Sequence, residues 1–191
     1  MALRWCMALK PWTKLGRSDL LVTRIFKLYA ERWVSPRTGN EHTFSVIDSP
    51  DWVNVVAFDT QGRLILIRQF RFGTGSFTLE VPGGMVDPGE DPRVTAEREL
   101  REETGYRAGS IVDLGFIYPN PAIQNNKAHM FLAENCVLEG AAQLDAGEDI
   151  EIALYSLDAG LAALASGEIS HALVAVALQR FSMHREGKLR L

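Results

Sequence analysis

The chain has 191 residues, 47% hydrophobic and 23% charged, enough for one domain with a sizeable core and unlike the composition of a disordered or fibrous chain. Lys and Arg number 20 and Asp and Glu 24, a formal net charge of -4, so nucleic acid, whose binders usually carry a basic face, is not the expected partner. No run of 18 apolar residues suggests a membrane span, and the opening MALRWCMALK is too short and too broken by Arg4 and Lys10 for a signal peptide. Cys6 and Cys136 lie far apart and outside any metal-ligand spacing, which reads as incidental or buried thiols in a reducing compartment, the cytoplasm.

In chain order, the first dozen residues show no clear period and are expected to form a loosely held tail. Residues 21–33 look β-like, and the turn-rich 35–40 then leads into 41–47, which predicts a long hairpin. Residues 52–58 and 64–70 flank Asp59-Thr60-Gln61-Gly62 as a second hairpin, and 77–81 reads as a further short strand. At Asp91-Pro92 the character changes: an N-cap and a proline in the first turn open a helix over 94–104, and Gly105 stops it. Residues 110–118, 128–132 and 150–156 return to strand character. The end is helical over 157–166 and 171–187, where alanine and leucine recur at helical spacing. Many hairpins with strands on both sides of helices indicate a mixed α+β sandwich rather than a doubly wound parallel sheet.

The chemistry concentrates in residues 83–106. On a helix, Glu99, Glu102 and Glu103 stand at i, i+3 and i+4, so three carboxylates project from one face within a single turn. Their repulsion is relieved by a hard divalent cation, whose remaining positions suit phosphate oxygens and water. Arg98 precedes Glu102 by one turn and can pair with it, while Glu90 ends the loop that enters the helix. The glycines at 83, 84 and 89 permit tight turns and bring backbone groups close to metal or phosphate. Taken alone, such a charge run would be a solvated, salt-bridged face.

The whole array decides otherwise. Gly84, five residues, Glu90, seven residues, then Arg98-Glu99-Leu100-Arg101-Glu102-Glu103-Thr104-Gly105-Tyr106 resembles the Nudix box, G-x5-E-x7-R-E-U-x-E-E-x-G-U, without a departure. Seven fixed residues match by chance on the order of once in 10⁹ windows. The resemblance implies the Nudix fold, an α/β/α sandwich with a mixed sheet, with residues 1–50 as an N-terminal extension and β-hairpin region used for dimerisation and 51–191 as the hydrolase domain. It also implies cleavage of a pyrophosphate bond in a nucleoside diphosphate joined to a further group, with Mg²⁺, or Mn²⁺ in its place, as cofactor. Carried over by position, Glu99, Glu103 and the Gly83 carbonyl would hold metal, with Glu102 in support and Arg98 orienting it.

Flanking residues narrow the group. Arg68-Gln69-Phe70-Arg71 followed by Leu79-Glu80-Val81-Pro82-Gly83-Gly84 resembles the RQ-x-R … E-x-P-G-G stretch of ADP-ribose and nucleoside-diphosphate-sugar pyrophosphatases. It implies that Arg68 and Arg71 clamp phosphates and that Glu80 touches the second sugar or a metal; surface ion pairing is the bland reading of either arginine. Pro121, fifteen residues past Tyr106, matches a proline that shapes a loop over substrate in that group. The following 122–127 lacks the glycines, serines and acid often found there, which favours nucleoside-diphosphate sugars in general over strict ADP-ribose specificity. Asn125, Asn126 and His129 are weaker candidates for substrate contact. Glu148, with Asp149 behind it, matches the acidic loop that supplies a carboxylate for water activation or metal binding. Trp33 and Trp52 are candidates to stack on a base, against a reading as core tryptophans, and a homodimer is expected by the same resemblance. Two alternatives remain: a housecleaning enzyme for nucleoside triphosphates or dinucleoside polyphosphates, and a non-catalytic nucleotide-sensing module, which would typically have lost box carboxylates.

Overall fold

The computed structural model describes residues 9–191; Arg4 and Cys6 lie outside the described residues. The chain divides into two compact units, residues 1–49 with 120–125, and residues 50–119 with 126–191.

The smaller unit is a three-stranded antiparallel meander, β1 (Thr13–Val22), β2 (Lys27–Val34) and β3 (Glu41–Asp48), in the order β1-β2-β3. The stretch 21–33 expected as one strand is thus split between two, and most of β1 lies before it, in residues 13–20 for which no element was expected. Thr23 makes the break: its hydroxyl accepts from the Ile25 and Phe26 amides, and its own amide donates to the Phe26 carbonyl at 2.9 Å. The turn at 35–40 forms as the residues suggest, with the Ser35 hydroxyl taking the Arg37 and Thr38 amides and Gly39 at φ 73°. Residues 120–125 join β3 through the Ile47 amide, which donates to Ile123, and the Asn125 side-chain amide, which donates to Asp48 at 2.6 Å.

The larger unit is a seven-stranded mixed sheet between helices. Its strands are β4 (Trp52–Asp59), β5 (Leu64–Arg71), β6 (Ser76–Glu80), β7 (Tyr106–Arg107), β8 (Ser110–Ile117), β9 (Ala128–Leu138) and β10 (Ile150–Tyr155). The order is β10-β5-β4-β9-β7, with β6 on β5 and β8 on β9; β4 and β9 run parallel and the other pairs antiparallel. Strand alternation sends side chains to opposite faces. Val53, Val55, Ala57, Ile65, Phe131 and Ala133 pack with Ala96 and Leu100 of α1 (Pro92–Thr104). Val56, Leu64, Leu66, Met130 and Leu132 pack on the other face with Ala163 of α2 (Leu157–Ser166) and with Val174, Leu178 and Phe181 of α3 (Ala172–Arg185). The unit is therefore an α/β/α sandwich, the α+β class expected. Among the described residues no helix is long and apolar enough to cross a membrane. Cys136 is a buried free thiol, pushed up to about 11 by that burial.

Candidate active site

Helix α1 starts where its sequence says it should. Asp91 accepts from the Arg93 amide at 2.7 Å, Pro92 sits in the first turn, and Gly105 closes the helix in the left-handed region at φ 72°. Ala96 and Leu100 fix the face that meets the sheet, and Glu99 and Glu103 lie on that same buried side. Opposite them, residues 82–86 run along β4 as an irregular extra strand. Val55 donates to the Pro82 carbonyl at 2.8 Å, Val53 to that of Gly84 at 2.9 Å, and Val86 to that of Asp51 at 2.9 Å.

Both glycines in this segment are needed for close approach. A Cβ on Gly84 would stand 2.5 Å from the Glu99 carboxylate, and one on Gly83 would collide with the Val53 carbonyl. The Gly83 amide donates to Glu103 at 2.8 Å. Among the described residues nothing donates to the Gly83 carbonyl, which leaves that oxygen available. Burial raises Glu99 to about 7; Arg98 works against the rise, and Glu102 and Glu148 add to it. Burial likewise puts Glu103 well above the usual carboxylate range, opposed by the Gly83 amide and reinforced by Glu99 and Glu148. Two carboxyls that resist ionisation, packed against a glycine cradle, form a site whose neutralisation by a cation would relieve a standing cost.

Arg98 organises the rest. It donates to both Glu90 oxygens at 3.2 and 3.0 Å, to Glu99 at 2.8 Å, to Glu102 at 3.0 Å and to the Met85 carbonyl at 3.4 Å. Glu90 also accepts from the Thr95 hydroxyl at 2.7 Å, and the Arg98 and Thr95 bonds bring its carboxyl down to about 2. The three carboxylates hold the Arg98 guanidinium above its ordinary range, chiefly through Glu90. Sequence reasoning did not find Thr95: nothing in the box marks it, and only its buried place in the first turn reveals its part.

The remaining candidates separate. Arg71 makes a two-pronged bond to buried Glu80 at 2.8 and 2.7 Å, and the Thr78 hydroxyl adds another at 2.5 Å. Burial raises Glu80, but those bonds win and keep it below the usual range. Arg71 also feels the charges of Glu103 and Glu148. Arg68 is three residues earlier on the same strand and therefore on the opposite face; its guanidinium lies 4.8 Å from the Phe77 ring centre and 3.8 Å from Glu151. Glu148 is exposed in the turn before β10 and accepts from the Asp145 amide at 3.1 Å; its charge reaches Glu99 and Glu103, though it bonds to neither. Trp52 is half-buried at the start of β4, bridged to Met85. Trp33 lies in the smaller unit, its indole N–H on Glu31. Pro121 is exposed in the turn that Asn120 closes by accepting from Ile123 and Gln124, also in the smaller unit. His129 pairs with Asp51 at 2.9 Å, and the Asn126 side-chain amide donates to the Pro50 carbonyl at 3.2 Å.

Among the described residues, no three carboxylate, imidazole or thiol groups close around one point. A cation here would take one or two carboxylates and a backbone carbonyl, leaving its other positions to water and substrate, the usual manner of a small hard dication. The oxygen-only donors and the glycine cradle fit that demand.

Acidic side chains on one buried helix face, opposite a glycine-lined backbone, suit a dication and phosphate oxygens, and the comparisons with known proteins supply the class: a hydrolase acting on phosphoric anhydrides. The chain belongs to the Nudix family: a family profile described as NUDIX domain matches residues 49–173. It is 32% identical over 166 residues to the ADP-ribose pyrophosphatase of Bacillus subtilis, covering 86% of this chain and 89% of that one. It is 29% identical over 157 residues to the methanol dehydrogenase activator of Bacillus methanolicus, covering 82% and 84%. A crystal structure of an ADP compounds hydrolase superposes with a TM-score of 0.83 over 97% of this chain and 100% of that one; at 24% identity this likeness speaks to the fold. Nudix hydrolases are generally dependent on divalent metal.

Proposed function

We propose that the chain hydrolyses the pyrophosphate bond of ADP-ribose or a nucleoside-diphosphate sugar with Mg²⁺, giving a nucleoside monophosphate and a sugar phosphate. The observation that carries this reading is the pair Glu99 and Glu103, buried against Gly83 and Gly84 and resisting ionisation without a cation. Support for the substrate class comes from the ADP-ribose pyrophosphatases of Bacillus subtilis and of Mycobacterium tuberculosis, the latter 30% identical over 128 residues, 66% of this chain and 61% of that one.

Glu99, Glu103 and the Gly83 carbonyl would hold Mg²⁺, with Mn²⁺ as a substitute of the same ligand taste. When bound, the ion neutralises phosphate oxygens and lowers the pKa of water. Arg98 keeps Glu99 and Glu102 aimed from one side and anchors to Glu90 on the other. Arg71, fixed in orientation by Glu80, turns its remaining N–H groups toward a phosphate. Glu148 is assigned the proton of the attacking water, as the exposed carboxylate whose charge already reaches both buried ones. Arg68, Trp52 and Pro121 are assigned to the substrate's outer parts on motif position alone. The free buried thiol of Cys136 fits a reducing cytoplasm.

The proposed assembly is a homodimer. The three-stranded sheet leaves Leu15, Leu20, Leu21, Val22 and Phe44 all more than 40% exposed, an apolar surface that a second copy would bury. Light scattering should give twice the chain's 21.2 kDa; a mass of one chain at micromolar concentration refutes the dimer. The activity is tested with a panel of ADP-ribose, nucleoside-diphosphate sugars, nucleoside triphosphates and dinucleoside polyphosphates in Mg²⁺. Two phosphomonoester products from the sugars are expected. Release of inorganic pyrophosphate from triphosphates alone, or no cleavage at all, would end the reading.

A further inference from the structure

A cleft of about 480 Å³ lies on the side of α1 turned away from Glu103, between the helix and the segment that joins β7 to β8. Arg93, Arg98, Arg101 and Arg107 line it, against only Glu90 and Glu97. In a chain of net charge -4 this is a local surplus of positive charge. Not all four guanidiniums are free to bind. Arg98 is committed to Glu90, Glu99 and Glu102. Arg93 has a loose, exposed contact with Glu97 at 3.6 Å, and Arg107 bonds to Glu139, which stands outside the cleft, at 2.5 Å. Arg101 has no side-chain partner among the described residues and is exposed.

The floor differs in character from the rim. Val94, half exposed on the helix, and Ile111 of β8 supply an apolar base. Arg93 and Arg101 are eight residues apart on one helix, about 12 Å along its axis. A solvated, self-paired helix face would leave no concave volume of ligand size beside it. Here one cation lacks a partner, two more are held only by exposed contacts that an anion can share, and the room suits a small organic phosphate.

We propose that this cleft is a second anion site that takes a phosphomonoester, with its dianion held by Arg101 and Arg107 and its organic part lying over Val94 and Ile111 toward Arg93. Phosphomonoesters are the products assigned above, but the site stands whether or not that assignment does, because its test needs no turnover.

The experiment is isothermal titration of the full chain in chelator with inorganic phosphate, ribose 5-phosphate and AMP. Saturable binding is expected, weakened at least about tenfold in the double variant R101E/R107E, in which two charge-assisted bonds become repulsions. Equal affinity for all three ligands assigns the site to free phosphate chemistry; tighter AMP assigns it to the nucleotide product. R101Q alone, on an exposed side chain, serves should the double variant not fold, and should weaken binding severalfold. Wild-type protein that binds none of the three overturns the proposal, as does affinity unchanged in R101E/R107E, or in R101Q where that variant stands in.

Discussion

Glu103 accepts its only side-chain hydrogen bond among the described residues from the Gly83 amide, while burial and the charges of Glu99 and Glu148 push its carboxyl up. Glutamine keeps an oxygen for that amide and removes the charge. E103Q should therefore fold at least as well as the parent without metal, by circular dichroism melting, and lose turnover by more than about 100-fold, since even outer partners of metal ligands are worth 10–100-fold. Retained activity would overturn the assignment of Glu103 to the ion. The two glycines opposite make a sharper pair. At Gly84 an added methyl meets the far end of the Glu99 side chain, which can swing away. G84A should change stability by less than about 1 kcal/mol yet cut kcat at least about tenfold, because a misplacement of about 1 Å is costly to a reacting geometry. At Gly83 the methyl meets the Val53 carbonyl in the middle of β4, which cannot move alone. G83A should cost about 1–3 kcal/mol in urea unfolding, the range of an overpacked core. If G84A is as active as the parent, the cradle has no part in placing Glu99.

At the scale of elements, β5 and β6 hold a charge pair that is half in water and half out. The Glu80 side chain is 2% exposed and that of Arg71 is 42%. Replacing Arg71 strands a buried carboxylate, so R71M should destabilise by about 3 kcal/mol, the lower end for a broken buried pair because its arginine reaches solvent. R71M/E80Q should recover much of that in a double-mutant cycle; a second loss that simply adds would show the two residues uncoupled. The same strand shows what the sequence could and could not tell. R-Q-x-R matches the motif as a block, yet a period of two puts positions 68 and 71 on opposite faces, a deduction open from the residues alone. Helix α1 was legible in full, since Asp91-Pro92 and Gly105 punctuate it and Ala96 and Leu100 choose its face. Strand β1 was not: nearly all of it is exposed on both faces, so no alternation of apolar and polar residues records it. Thr95 and Thr78, which steady Glu90 and Glu80, left no pattern either, because a hydroxyl aimed at a carboxylate depends on where the backbone brings it.

Across the larger unit, the buried and half-buried acids whose ionisation the fold shifts form two sets with opposite effects on stability. Glu90 and Glu80 ionise more readily folded than unfolded, the first down to about 2, so their contribution is present above about 4.5 and is lost as pH falls toward their folded values. Asp59 belongs with them: burial opposes its ionisation, but hydrogen bonds from Arg63 and Gln61 win. Glu99 and Glu103 are raised, so between about 4.5 and their folded values the native state keeps protons that the unfolded chain has released. Stability of the metal-free protein must then fall as pH rises through that window. For Glu99, a rise from 4.5 to about 7 corresponds to roughly 3 kcal/mol at 1.36 kcal/mol per unit. The two sets oppose each other, so the joint contribution of these carboxyls to the metal-free protein is greatest near the ordinary carboxylate value and falls on either side of it. A dication that binds the ionised pair reverses the upper limb, because it binds the native state and competes with the protons there. Melting temperatures in chelator and in excess Mg²⁺ should thus nearly coincide at pH 5 and diverge by several degrees at pH 8, with the divergence abolished in E103Q. Curves that stay parallel across that range would mean that Glu99 and Glu103 do not take the ion, whatever the catalytic assay shows.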